Sequence, residues 1–222
     1  MPARAQDFGV FNIGTLTNTL SMSAITQTEG ERARRQQGRP ARRSLPRRAA
    51  SRSFAYRVTP ALKRQAVASF MARLRAKDPA AAQTLQAQFA RSDYDHIYRE
   101  LTASNGIRPN DAADALTAYM VLGYLIANQK SQEPSRAQVR GVRAQVGRIL
   151  AGNAALSSPA SRAKIGEEFK ILFVLVQAGW GNARKTKALA AYSDQVAASF
   201  IRQNKTDLRA LTLGNDGFRR KS

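Results

Sequence analysis

Apolar residues recur every three or four positions along most of the chain, and this spacing constrains the fold more than any other feature. The run of Val67, Phe70 and Leu74 shows it in one segment. Such a period is that of an amphipathic helix, whereas a strand would alternate, and almost no segment does. We therefore predict an all-α domain of about seven helices with short connections, compact and either orthogonal or bundle-like.

Helix-start residues divide the periodic region into seven parts. Ser, Thr, Asp and Asn are favoured N-caps, and proline is favoured in the first helical turn. The predicted starts are Thr59-Pro60, Asp78-Pro79, Ser92, Asn110, Pro134-Ser135, Ser158-Pro159 and about Asn182. Gly179-Trp180-Gly181 is expected to break the chain before the seventh helix, which should end near Gln203.

The segment from Arg32 to Arg57 has a different composition. It contains ten arginines, no lysine and no acidic residue, and Pro40 and Pro46 interrupt it. A segment of this kind buries too little apolar surface to offset the entropy of ordering. We predict a disordered Arg-rich arm over residues 1–58, the all-α domain over 59–205, and a short basic tail over 206–222.

The charge balance favours acidic partners. The chain has 36 Lys and Arg against 15 Asp and Glu, a formal charge of +21. The imbalance is +8 over residues 1–58 and +13 over 59–222, so the domain is basic as well as the arm. Codon bias in a GC-rich genome explains part of the preference for arginine over lysine, but not the shortage of acids. Polyanions or anionic surfaces are the expected partners, with nucleic acid as a non-specific one.

Several classes of site are excluded or disfavoured. The chain has no cysteine and one histidine, His96. Disulfides and Cys-ligated metals are therefore excluded, and we expect no metal, no cofactor and no catalytic residue. The chain has no stretch of 18 or more apolar residues, so no membrane-spanning helix is predicted. The oligomeric state cannot be read from the sequence.

Two groups of arginines are the predicted polyanion-binding residues. In the arm they are Arg34, Arg35, Arg42, Arg43, Arg47 and Arg48, and in the fifth helix they are Arg136, Arg140 and Arg143. The second group forms a stripe at i, i+4 and i+7 without an acid between Ser135 and Leu150. Such a stripe suits a row of phosphates or an anionic lipid surface. The alternative is an ordinary solvated helix face.

The acidic residues have both a chemical and a structural interpretation. If the chain is an enzyme, Asp111, Asp114, His96 and Glu100 are the most plausible constellation, since paired carboxylates can do acid–base work. The structural alternative places Asp111 and Asp114 in a first helical turn, with Asp114 turned toward Arg108.

Two features of the sixth helix also leave alternatives open. Glu167 is expected to form a surface salt bridge with Lys164 or Lys170. Trp180 could stack on a ligand or anchor the core.

Two segments resemble a bacterial family of all-α domains of unknown function, often found in exported proteins. They are Phe70-Met71-Ala72-Arg73-Leu74-Arg75-Ala76-Lys77-Asp78-Pro79-Ala80-Ala81-Ala82 and Gly106-Ile107-Arg108-Pro109-Asn110-Asp111-Ala112-Ala113-Asp114-Ala115. The resemblance is expected to cover residues 54–205 and to leave the arm outside. It implies the all-α fold and frequent export, but no activity and no catalytic residues.

Two functional hypotheses follow. The first is a non-enzymatic exported protein whose basic arm and domain bind anionic surfaces or polyanions. The second is a cytoplasmic nucleic-acid-binding protein of low sequence specificity, although no helix-turn-helix or aromatic RNA-binding motif is present. Ala3-Arg4-Ala5 has the form of a signal-peptidase site, but only five residues precede Gln6. Export would therefore need a signal upstream of Met1, and a periplasmic or secreted location depends on it.

Overall fold

The computed structural model describes residues 53–153 and 156–221. This part of the chain forms seven α-helices, two short 3-10 helices and one small antiparallel hairpin, so the all-α prediction is confirmed. The helices are α1 (Pro60–Arg75), α2 (Pro79–Arg91), α3 (Tyr94–Thr102), α4 (Ala112–Ala127), α5 (Arg136–Ala151), α6 (Pro159–Lys185) and α7 (Leu189–Asn204). The 3-10 helices are Ala103–Asn105 and Leu208–Ala210, and the strands are β1 (Leu211–Gly214) and β2 (Gly217–Arg220).

Local capping explains most of the helix starts. Thr59 Oγ1 accepts a hydrogen bond from the Leu62 amide at 3.1 Å, and Asp78 Oδ1 accepts one from Ala81 at 2.9 Å. Both predicted starts are confirmed. Two other predicted caps are one residue early, because Asp93 and Asp111 cap α3 and α4 instead of their neighbours.

Helix α4 forms the centre of the domain. It packs against α5, α6 and α7, and nearly all of its residues are buried. A helix that is apolar all round has no solvent face, which is what this central position requires. The ring of Tyr119 lies between Phe169 of α6 and Phe200 of α7, with centroids 5.7 and 5.0 Å away.

The predicted break at Gly179-Trp180-Gly181 is wrong, since α6 continues to Lys185. A Cβ on Gly179 would lie 2.2 Å from the Tyr192 hydroxyl oxygen, so this glycine allows α7 to pack closely instead of ending the helix. The turn comes later, where Lys187 has a φ of 58°, and α7 begins at Leu189.

Residues beyond 206 contain secondary structure that the periodicity did not predict. The strands β1 and β2 pair around Asn215 and Asp216, and Gly217 has a φ of 101°. Glycine adopts such a positive φ without steric cost, which suits Gly217 to the end of this turn. The strands have only four residues each, which is too short for a clear alternating pattern.

Ordered structure also begins ahead of the first helix. Phe54 and Tyr56 are buried in the core. The backbone of this segment bonds to the start of α4, where the Tyr56 amide donates to the Asn110 carbonyl at 2.9 Å and Phe54 accepts from the Ala112 amide at 3.1 Å. The end of the Arg-rich segment is therefore fixed beside the N-terminus of α4.

Candidate functional site

The arginines of α5 lie in two different environments. Arg136 and Arg140 are exposed, as is Arg148 further along the helix. The Arg136 Nε donates to the Ser104 carbonyl at 2.8 Å, which leaves the rest of its guanidinium toward solvent. Arg143 is only 19% exposed and pairs with carboxylates instead.

The β1–β2 hairpin is attached to α5 by side-chain amides and a close backbone approach. Gln145 Nε2 donates to the Phe218 carbonyl and Gln145 Oε1 accepts from the Phe218 amide, both at 2.8 Å. Gln138 Nε2 donates to the Leu213 carbonyl at 3.1 Å. A Cβ on Gly141 would lie 2.3 Å from the Asn215 carbonyl oxygen, so only glycine fits at this contact.

This attachment brings two basic segments together. Arg219, Arg220 and Lys221 are exposed on the hairpin, and Arg219 pairs with Asp216 in the turn. Arg148 borders the same depression as Leu211, which is the register partner of Arg220. We use the name α5–hairpin face for the exposed cations of these two packed elements together, which are Arg136, Arg140, Arg148, Arg219, Arg220 and Lys221. Sequence reasoning treated its two halves separately, because nothing in the periodicity indicated a hairpin.

Arg143 belongs to a second cluster, at the N-terminus of α4. Asp111 Oδ1 accepts from the amides of Ala113 and Asp114 at 3.0 and 3.1 Å, as a first-turn carboxylate should. Arg108 Nε lies 2.6 Å from Asp114, which confirms the predicted contact. Arg143 also pairs with Asp114 and lies 3.2 Å from Asp111. Its charge is therefore compensated within the domain, whereas Arg136 and Arg140 have no ion pair with any residue that the structure describes.

The Arg-rich segment enters the domain at this cluster. The Arg143 guanidinium lies 5.6 Å from the centre of the Phe54 ring, a cation–π contact. Phe54, near the end of the Arg-rich segment, therefore lies beside α5. The six arm arginines predicted to bind polyanions, Arg34, Arg35, Arg42, Arg43, Arg47 and Arg48, lie outside the described residues.

A buried ionic network was missed by sequence reasoning. Lys170 is 0% exposed, and its Nζ lies 2.6 Å from Glu167 Oε1 and 2.7 Å from Asp95 Oδ1. The pairing of Glu167 with Lys170 is confirmed, but the predicted surface location is wrong, because Glu167 is also 0% exposed.

Tyrosine and arginine side chains complete this network. The hydroxyls of Tyr56 and Tyr94 donate to the two oxygens of Glu167 at 2.7 and 2.5 Å. Burial and the Glu167 charge raise the pKa of both tyrosines, so they remain donors. Arg99 Nε donates to Asp95 at 3.0 Å. The signal available in the sequence is that Lys170 is the one charged residue within Phe169–Val176, an otherwise apolar run.

The residues of the enzyme hypothesis do not form one constellation. His96 and Glu100 lie on the exposed side of α3, with side chains 59% and 41% exposed and 3.3 Å between Nε2 and Oε1. Asp111 and Asp114 are buried and bound to arginines. Within residues 53–153 and 156–221, no three His, Asp or Glu side chains are grouped to hold a metal ion.

Trp180 lies near the C-terminal end of α6, half-buried against the core. The Arg184 guanidinium stacks on its indole with 3.9 Å to the ring centre. The exposed side of the ring is thus covered by an arginine of its own helix, which supports the anchoring interpretation.

The comparisons with known proteins give no activity. No helix in the described part of the chain has both the length and the apolar content to cross a membrane. Neither the curated proteins nor the solved structures provide a match. A family model does match, over residues 8–200, so the similarity includes the Arg-rich segment that the resemblance was expected to leave outside. The chain belongs to this family, DUF6683, a family of unknown function.

Proposed function

We propose that this chain is a non-enzymatic helical protein that binds polyanions or anionic surfaces. Binding is carried by the α5–hairpin face together with the Arg-rich segment. The proposal rests on how the charges are divided between the interior and the exterior of the domain.

Acids lie inside the domain far more often than cations do. Residues 59–221 contain 12 acidic residues, of which five are buried: Asp95, Asp111, Asp114, Glu167 and Glu168. The same range contains 25 Lys and Arg, of which Lys170 alone is buried. The outside of the domain is therefore more positive than the net charge suggests. A surface potential of one sign attracts oppositely charged partners and speeds their encounter.

Six exposed cations come from α5 and from the segment that ends the hairpin packed against it, two segments far apart in sequence. Phe54 contacts Arg143 of α5, and nine arginines of residues 32–52 precede Phe54 in the sequence. Domain and arm can then contact one extended polyanion together.

The non-enzymatic part of the proposal is supported by the way the carboxylates are used. Asp111 caps α4, Asp114 lies in its first turn, and both bind arginines. Glu167 and Asp95 surround a lysine without solvent access. Each carboxylate that sequence or burial singles out thus has a structural partner. His96, the one histidine, is exposed and paired with Glu100.

Heparin affinity of the full chain tests the proposal. The variant Arg140→Ala with Arg148→Ala removes two exposed charges from the face. The matched control, Lys130→Ala with Arg202→Ala, removes two exposed charges from elsewhere. We expect the face variant to elute from heparin at a clearly lower salt concentration than the control. With fewer contacts, binding releases fewer counterions and is therefore weaker. Equal elution of the two variants would contradict a localised face.

Nucleic acid is the alternative partner, and binding measurements on the same full chain test it. Mixed-sequence duplex DNA should bind weakly, without sequence preference, and dissociate at a few hundred millimolar salt. Retention of one preferred DNA sequence at high salt would instead indicate a specific nucleic-acid reader.

A further inference from the structure

A groove between α1 and α2 has features of a ligand site separate from the α5–hairpin face. Its volume is about 630 Å³, within the range typical of small-molecule sites. Val67, Met71 and Phe89 form its apolar floor, and Arg64, Arg75 and Arg91 lie along its rim. We call it the α1–α2 groove.

The charges of the groove are mostly uncompensated. Lys63 and Asp93 also line it, but they pair with each other at 2.6 Å. Arg75 donates to Gln86 at 2.9 Å. Within residues 53–153 and 156–221, neither Arg64 nor Arg91 has an ion pair. The groove therefore joins an apolar surface to free positive charge.

The arrangement along α1 gives the site a direction. Helices α1 and α2 are consecutive and joined by a short turn, so Arg91 at the end of α2 lies toward the Arg64 end of α1. From Arg64 to Arg75 the helix rises about 16 Å. The floor residues lie between these two ends. Tyr94 adds only its ring, because its hydroxyl donates to Glu167.

We propose that the α1–α2 groove binds a single-chain anionic amphiphile, with the acyl chain on the apolar floor and the acidic headgroup at Arg64 and Arg91. An acidic amphipathic helix of a partner protein is the other occupant with this chemistry, and the binding experiment distinguishes it.

Calorimetric titration of the full chain with tetradecanoate, kept below its aggregation concentration, tests this assignment. The uncharged tetradecanol and the chainless acetate are the matched probes. We expect tetradecanoate to bind at least tenfold more tightly than either, because only it offers both the chain and the charge. Equal binding of tetradecanol would overturn the role of the arginines, and no binding of tetradecanoate would overturn the site.

Two variants locate the site. Arg64→Ala with Arg91→Ala removes exposed side chains and should weaken tetradecanoate at least tenfold. Ala68→Glu places an acid on the exposed edge of the groove, keeps helix propensity, and should do the same. Unchanged affinity in both variants would contradict the assignment, as would binding of an acidic amphipathic peptide in preference to tetradecanoate.

The control separates this inference from the proposed function. Arg140→Ala with Arg148→Ala removes the same charge from the α5–hairpin face and should leave tetradecanoate binding unchanged while weakening heparin. If either double variant weakens both tetradecanoate and heparin binding, the effect is one of general charge, and the groove is not a distinct site.

Discussion

Replacing Lys170 by methionine should destabilise the domain strongly. The side chain keeps a similar length, but the buried ammonium is lost, and Glu167 and Asp95 lose the positive charge that they share. Two charged hydrogen bonds of 2.6 and 2.7 Å disappear. Each carboxylate left short of a partner costs about 1–3 kcal/mol. Breaking a buried ion pair from one side costs about 3–5 kcal/mol, which is the loss we expect here.

The remaining partners limit this loss. Glu167 keeps the two tyrosine hydroxyls, and Asp95 keeps Arg99. The combined variant Lys170→Met with Glu167→Gln should therefore recover at least about 1 kcal/mol, since it no longer buries an uncompensated Glu167 charge. Urea unfolding followed by far-UV circular dichroism measures the stability of the single and the combined variant. The control variant Lys164→Met, on the exposed side of α6, should change the free energy of unfolding by about 0.5 kcal/mol or less. A Lys170→Met variant as stable as Lys164→Met would refute the buried network.

The same network predicts a pH dependence. Burial alone would raise the pKa of Asp95, but hydrogen bonds and charges from Lys170 and Arg99 outweigh it, so the pKa lies below its usual value. Such a carboxyl stabilises the folded state above its unfolded pKa of 3.8 and loses that contribution as pH falls through the folded pKa. Lys170→Met removes the part of this pKa lowering that Lys170 causes at Asp95. The stability difference between wild type and variant should therefore narrow below pH 3.8, and a constant difference through the acid range would contradict this.

Two further pairs of variants test individual contacts. Tyr98 is buried, and its hydroxyl has no hydrogen-bond partner within the described residues, so Tyr98→Phe should keep or raise the free energy of unfolding. Tyr94→Phe loses its hydrogen bond to Glu167 and should lower the free energy of unfolding by about 1–3 kcal/mol. Equal effects in urea unfolding would refute the difference. Gly141→Ala should detach the hairpin from α5 and lower stability despite the better helix propensity of alanine, while Gly181→Ala, with open space around its Cβ, should gain up to about 1 kcal/mol. Amide hydrogen exchange of β1 and β2 checks the first substitution, and unchanged protection would contradict the close contact.

Sequence predicted the features that depend on neighbouring residues. Thr59, Asp78 and Ser158 cap helices because their side chains need only the next turn of backbone. The contact between Arg108 and Asp114 spans six positions and was likewise predictable. Helix number and class follow from the same local periodicity.

The features that sequence did not predict depend on distant partners. Lys170 bonds to Asp95, 75 positions away, so nothing local shows that it is buried. Gly179 would end many helices, but the position of Tyr192 makes it a packing contact. Arg140 and Arg143 look alike in the stripe on α5, and only the fold places one in solvent and the other on Asp114.

The most direct test of the proposed function is a binding footprint. A short heparin oligosaccharide titrated into the isotopically labelled full chain should shift the backbone amides of α5 from Arg136 to Arg148 and of β2, with α7 unaffected. Arg140→Ala with Arg148→Ala should weaken these shifts at equal oligosaccharide concentration, while Lys130→Ala with Arg202→Ala should leave them unchanged. Shifts centred on another surface of the domain, or none at all at low salt, would contradict the claim that the α5–hairpin face binds polyanions.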